Sequence, residues 1–293
     1  MEIIQAEFTL TAKSKVILPE WKGSTIRGAL GENLKKLYCV YTERITCYKC
    51  KNIDICPYGY LYETQPKKSS EKFSAYKQVT KPITIEPPLD KKTLFKKGEK
   101  IVFKINFFGK GKKYIAEVEN SLKELKFIGR FRNRGFGEIS YDGKKINIIN
   151  LEKPQDNFER VKINFITPTQ LIFENSLVSD IRFSHIIKNI SRKYSAILCF
   201  HEETKEKIDW KEIFEEVEKA EIISTNLEKC IIETYSTRLD KIRKNAGIIG
   251  TIEFDLKKIK NKKIVNYLLN FGKYAHVGKF ATFGFGMYEF TLI

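Results

Sequence analysis

The chain has 293 residues, 42% of them hydrophobic, and its 53 Lys and Arg against 36 Asp and Glu leave a formal charge of +17 and a pI near 9.4. That length and apolar content suit one large or two ordinary domains with real cores. No run approaches the roughly 18 apolar residues of a membrane span, and the first residues lack a signal-peptide pattern, so a soluble, cytoplasmic protein is expected.

Ile4, Ala6, Phe8 and Leu10 alternate with Gln5, Glu7 and Thr9, which predicts a half-buried strand. From Ser24 the spacing changes, and Ile26, Leu30, Leu34, Leu37 and Tyr41 follow a helical stripe. Ile83 and Ile85, then Ile101 to Phe107, predict two strands, and Val118, Leu122 and Leu125 a second helix. The Gly-rich stretch FIGRFRNRGFGEI leads into a strand at Glu138–Ile149. After a polar joint at Leu151–Glu159 the order repeats. A strand at Val161–Phe165, helices at Ile181–Leu198 and Trp210–Ala220, strands at Lys229–Tyr235 and Ile248–Leu256, and a helix at Ile264–Ala275 lead to HVGKFATFGFGMY and a last strand at Met287–Leu292. The order is β-α-β-β-α-Gly loop-β twice, an α+β chain of two tandem ferredoxin-like (RRM-like, βαββαβ) domains, 1–150 and 151–293.

The excess of Lys and Arg creates a positive field that attracts polyanions, nucleic acid first among them. The competing explanation, a Lys-rich heat-adapted composition, usually brings matching Glu, which is missing here.

The two Gly motifs align residue by residue. Gly129, Phe131, Gly135, Phe136 and Gly137 match Gly278, Phe280, Gly284, Phe285 and Gly286, with Arg130 opposite Lys279. Each motif leaves a helix and delivers the chain into a final strand. Glycines there permit positive φ and bring backbone N–H groups near a phosphate, and Arg130, Arg132, Arg134 and Lys279 flank them. The structural alternative is a helix C-cap followed by a tight turn.

HVGKFATFGFG, the early GSTIRGALG at Gly23–Gly31 and YSTRLDKIRKNAGIIG at Tyr235–Gly250 together resemble the RAMP superfamily endoribonucleases that process CRISPR repeat RNA. The resemblance implies metal-independent cleavage of precursor crRNA within its repeat by the 2′-hydroxyl, leaving a 2′,3′-cyclic phosphate and a 5′-hydroxyl. It therefore implies CRISPR repeat RNA as partner, no catalytic cofactor, and a monomer or homodimer that can join CRISPR effector subunits. The alternative within the superfamily is a non-catalytic RAMP-fold subunit that holds crRNA in an effector complex.

Three surfaces are candidates for contact with RNA. His276 ends the last helix and precedes the Gly loop formed with Gly278, Lys279, Gly284 and Gly286, where it is read either as acid or base or as a helix-end residue. At about 100° per residue, Arg27, Lys35 and Tyr38 fall on one side of the first helix, which Gly28 and Gly31 open, with Arg27 suited to grip phosphate. Arg238, Lys241, Arg243 and Lys244 form a basic hairpin loop beside Tyr235. His276, Tyr38 and Lys35 are thus the catalytic candidates, and the arginines, Lys279 and the loop glycines the RNA contacts.

Cys39, expected at the end of the first helix, crowds into eighteen positions with Cys47, Cys50 and Cys56, which lie in a small insertion that the sequence places at Arg44–Glu63. A C-x2-C knuckle is half of a common zinc site, and four thiolates would complete a tetrahedron. An iron-sulfur cluster, or metal-free cysteines with a disulfide, are the alternatives.

Overall fold

The computed structural model describes residues 1–41, 47–65, 79–129, 137–151, 154–173, 176–178, 180–202, 204, 209–236 and 241–293. The first half runs β1 (Glu2–Ala12), β2 (Val16–Ile17), α1 (Gly23–Tyr38), α2 (Pro57–Tyr62), β3 (Ile83–Glu86), β4 (Leu94–Phe95), β5 (Lys100–Phe108), α3 (Ile115–Lys123), β6 (Phe127–Ile128) and β7 (Gly137–Asn150). The second runs β8 (Arg160–Thr169), β9 (Ile172–Phe173), β10 (Ser176–Leu177), α4 (Phe183–Ile197), α5 (Trp210–Val217), β11 (Glu221–Ser236), β12 (Lys241–Asp255), α6 (Lys262–Ala275) and β13 (Tyr288–Leu292).

Strand order is β3-β5-β1-β7-β6 in one sheet and β11-β12-β8-β13 in the other. In each, the first long strand lies between the third and the last, which is ferredoxin-like connectivity repeated. The period-2 pattern of β1 sends Ala6, Phe8 and Leu10 into a core with Ile26, Leu30 and Leu34 of α1 and Val118 and Leu122 of α3. Val161, Ile163 and Phe165 of β8 likewise meet Ile186 and Ile190 of α4 and Leu268 and Phe271 of α6.

The halves interlock through the back of the first sheet. Phe108 meets Phe271 edge-on, with ring centroids 5.8 Å apart. Beside them Asn106 Nδ2 donates to Glu86 Oε1 at 2.8 Å and to the Tyr274 carbonyl at 3.1 Å, while Thr84 Oγ1 donates to the same carbonyl at 2.6 Å. Burial raises the Glu86 carboxyl above its ordinary range, and the amides of Asn106 and Gln5 oppose that shift. These bonds hold the end of α6, and so the loop that follows it, against β3.

Several elements depart from the sequence reading: β11 begins at Glu221, eight residues before the expected Lys229, and the two-residue strands β2, β4, β6, β9 and β10 were not expected. α1 stops at Tyr38, because Cys39 is already extended with ψ 119°, whereas the apolar stripe ran on to Tyr41. The short α2 inside the Cys-containing insertion went unpredicted, its six residues being too few for a helical period. Lys241–Gly247, expected in a hairpin loop, lie on β12, whose ladder with β11 continues to Ser236↔Lys241. β-branched Ile231, Ile232 and Thr234 favour that extension over a solvated turn. The far end of this ribbon runs beyond β8, which pairs with β12 only from Ile248 to Asp255.

Candidate functional site

The second Gly loop is a packing joint. Gly286 has φ 75°, and a Cβ there would stand 1.7 Å from the Val277 carbonyl oxygen, while at Gly284 (φ 96°) it would stand 2.4 Å from Pro87 Cδ. The amides of Gly278, Lys279 and Gly286 are spent within the protein: Gly278 N donates to Asn189 Oδ1 at 2.7 Å, Lys279 N to the Gln170 carbonyl at 2.8 Å and Gly286 N to the Pro168 carbonyl at 3.0 Å. Gly278, Gly284 and Gly286 are buried, so the expectation that they present amides to a phosphate gives way to close backbone packing. What the loop leaves at the surface is the exposed Lys279 and the half-buried Phe280 and Phe283, whose rings stack at 4.9 Å. The loop also abuts the start of α1, since a Cβ on Gly23 would meet the Phe283 carbonyl oxygen at 2.0 Å.

His276 is fully enclosed, with φ 54°, and neither ring nitrogen has a hydrogen-bond partner among the described residues. Its placement therefore does not suit the expected proton transfer to RNA. The α6 terminus is held instead by Lys193 of α4, whose Nζ donates to the His276 carbonyl at 2.7 Å and to the Ala275 carbonyl at 3.3 Å. Burial lowers the Lys193 ammonium to about 7. Burial, then the Lys193 charge, lowers His276 to about 3, against partial opposition from the backbone of Phe285 and Ala281. The imidazole is thus neutral at physiological pH.

This burial has a measurable consequence. An unfolded histidine titrates near 6.5, so between that value and about 3 the unfolded chain binds the extra proton. The His276 contribution is complete above the upper limit and is lost as pH falls towards the lower one, by at most about 1.4 kcal/mol per unit. His276→Asn, which tolerates positive φ and does not titrate, should flatten the acid limb of stability measured by denaturant melts at a series of pH values.

α1 carries the second surface. The Arg27 guanidinium lies over the Tyr62 ring at 4.6 Å, and Lys35 Nζ over the Tyr58 ring at 5.8 Å. The two α2 tyrosines stack on each other at 5.3 Å, forming one platform for both cations. Tyr62 sits over Gly31, where a Cβ would meet its ring at 2.7 Å, and its hydroxyl donates to the Arg27 carbonyl at 3.1 Å. Burial, then Glu63, pushes the Tyr58 phenol up to about 12. The Arg27 Nε is buried and has no hydrogen-bond partner among the described residues. Gly28, next to it, is exposed, and a Cβ there would meet nothing within 4 Å. An exposed helix-interior glycine costs about 1 kcal/mol relative to alanine, and nothing in the fold requires it. Tyr38 is set apart, its hydroxyl accepting from Asn120 Nδ2 of α3 at 3.1 Å.

Lys81, which sequence reasoning missed, joins Arg27. Its Nζ donates to the Thr64 carbonyl at 3.1 Å. Burial lowers it to about 8; Arg27 pushes the same way, and Glu63 opposes. A lone Lys between Thr80 and Pro82 carries no periodic signal that could have found it.

Arg243 is exposed on the β11–β12 ribbon, and β11 touches α1. Arg130, Arg132, Arg134 and Arg238 lie outside the described residues. Of the remaining histidines, His201 is buried, with Nδ1 2.9 Å from the Tyr60 hydroxyl and Nε2 2.9 Å from the Thr80 carbonyl, and His185 stands at the start of α4, its Nδ1 accepting from Arg182 N at 3.3 Å. The four clustered cysteines line one small cavity beside Tyr58.

Residues 1–157 match the AF_1859 N-terminal domain family, and residues 163–288 match the family of CRISPR-associated endoribonuclease Cas6. The chain belongs to the AF_1859 N-terminal domain family, whose model spans more than half of it, and its second half is similar to CRISPR-associated endoribonuclease Cas6. Solved structures agree at the level of fold. A Cas6 product complex superposes with TM-score 0.61 at 13% identity, covering 99% of this chain and 100% of that one. Thermus thermophilus Cas6 gives 0.60 at 13% identity, covering 99% and 98%. A RAMP protein described as binding different RNA substrates gives 0.51 at 10% identity, covering 98% and 99%. No curated protein sequence matches. Among the described residues, no helix is long and apolar enough to cross a membrane.

Proposed function

We propose that the chain cleaves precursor CRISPR RNA within its repeat without a catalytic metal. The 2′-oxygen forms a bond to the adjacent phosphorus, the bond from phosphorus to the 5′-oxygen breaks, and 2′,3′-cyclic phosphate and 5′-hydroxyl ends result. One proton leaves the 2′-hydroxyl and one arrives on the departing oxygen. The nucleophile comes from RNA, so the protein's task is to hold the strand in line and to neutralise the charge of the phosphorane.

The observation that carries this reading is Arg27. It is a guanidinium oriented by an aromatic face, with an unpartnered Nε, beside an open glycine on which a sugar-phosphate backbone can lie. In this reading Arg27 donates to the non-bridging oxygens, a geometry that suits its planar fork. Lys81, lowered to about 8, exchanges a proton near working pH. Lys35, Lys279 and Arg243 add positive charge along the strand, the Phe280–Phe283 pair offers a face for a base, and Tyr38 braces α1 against α3. His276 keeps the loop in shape.

A second reading, a subunit that holds crRNA without cutting it, draws on the burial of both His201 and His276. Incubating end-labelled repeat RNA with the protein in EDTA separates the two. The nuclease reading expects one defined cut, and a stable complex without product would favour the subunit.

A further inference from the structure

The described residues between Cys39 and Cys56 build no apolar core of their own. None of their side chains belongs to a hydrophobic cluster among the described residues, and Val40, Tyr48 and Ile55 are 72%, 77% and 71% exposed. Their backbone is held mainly by local turns, among them Cys50 N to the Cys47 carbonyl at 3.1 Å, Ile55 N and Cys56 N to the Asn52 carbonyl at 3.2 and 2.9 Å, and by Tyr114 Oη donating to the Asp54 carbonyl at 3.2 Å. A lobe of this size without a core needs a cross-link or a metal.

The sulfur groups that could supply one are already gathered. Cys39 at the end of α1, Cys47 and Cys50 on a single 3₁₀ turn, and Cys56 at the N-cap of α2 line one cavity of about 20 Å³. All four are free thiols. We infer that they bind one structural Zn²⁺ that staples this lobe to α1 and α2. Four cysteines lining one cavity supply the number and kind of ligands that tetrahedral thiolate coordination takes, whereas a disulfide engages only two, and one across the Cys47–Cys50 turn would close too short a loop to hold the lobe. Among the described residues no three ligating groups yet stand at metal-bonding spacing, so the ion draws the thiols inward and each gives its proton to solvent on binding. Lys35, electrostatically close to Cys47, offsets the charge of the tetrathiolate. Tyr58 lines the same cavity and stacks on Tyr62, so the ion also braces the platform beneath Arg27.

Protein purified without chelator should carry about one zinc per chain by elemental analysis. Of its six cysteines, only Cys199 and Cys230 should react with a thiol reagent in the folded protein, and all six after unfolding with chelator. Stripped protein should take up one equivalent of Co²⁺ with thiolate charge-transfer and tetrahedral d–d bands. Cys47→Ser combined with Cys50→Ser should lose the metal; should that variant fail to fold, Cys50→His retains four ligands and should still bind one Co²⁺ with an altered spectrum. Six reactive thiols without metal would overturn the inference. So would a non-reduced mass short of the hydrogens of a disulfide, iron with sulfide in place of zinc, or an unchanged metal content in the double serine variant.

Discussion

Arg27→Ala should slow single-turnover cleavage of repeat RNA by about 10²- to 10³-fold, the usual worth of one preorganised donor to developing negative charge. The guanidinium rests on Tyr62 at 4.6 Å, and its buried Nε has no partner among the described residues. Arg27→Lys should recover only part of the rate, because an ammonium cannot reproduce the planar two-donor contact. Losing the stack on Tyr62 should cost roughly 0.5–2 kcal/mol of stability, so rates are to be compared on protein shown to be folded. A wild-type rate in folded Arg27→Ala would make the residue a packing element and move the reaction elsewhere. Lys81→Arg extends the test: it keeps a charge and removes the group that titrates near 8, so loss of rate with intact binding would assign Lys81 to proton transfer.

The architecture was legible because each half repeats one simple alternation. Period 2 in Ala6, Phe8 and Leu10 and helical spacing in Ile26, Leu30 and Leu34 reflect burial against a single neighbouring layer, and that is local information. The second copy of the Gly motif marks a joint, held by backbone packing and not by amides turned to a phosphate. Its amides bond to Pro168 and Gln170, more than a hundred residues earlier in the chain, and no local pattern reports that. The same is true of His276. Adjacency to a Gly loop made it look like a phosphate neighbour, whereas its burial depends on the packing of α6 on α4 and on Lys193. Arg27 was found because helical periodicity places it on one side of the first helix with Lys35 and Tyr38. Lys81 was not, because its relation to Arg27 arises only when the chain before β3 returns past α1 and α2.

The proposed reaction depends on a nucleophile that the RNA itself supplies. Repeat RNA carrying a single 2′-deoxyribose at the cut, incubated with the protein in EDTA beside the all-ribose strand, tests this directly. The account predicts that the ribose strand is cut once, leaving a cyclic phosphate identified by mass. The deoxy strand should bind with similar affinity, since the phosphates that dominate binding are unchanged, and should not be cut. Cleavage of the deoxy strand at the same position, or cleavage of the ribose strand only when a divalent metal is supplied, would contradict it.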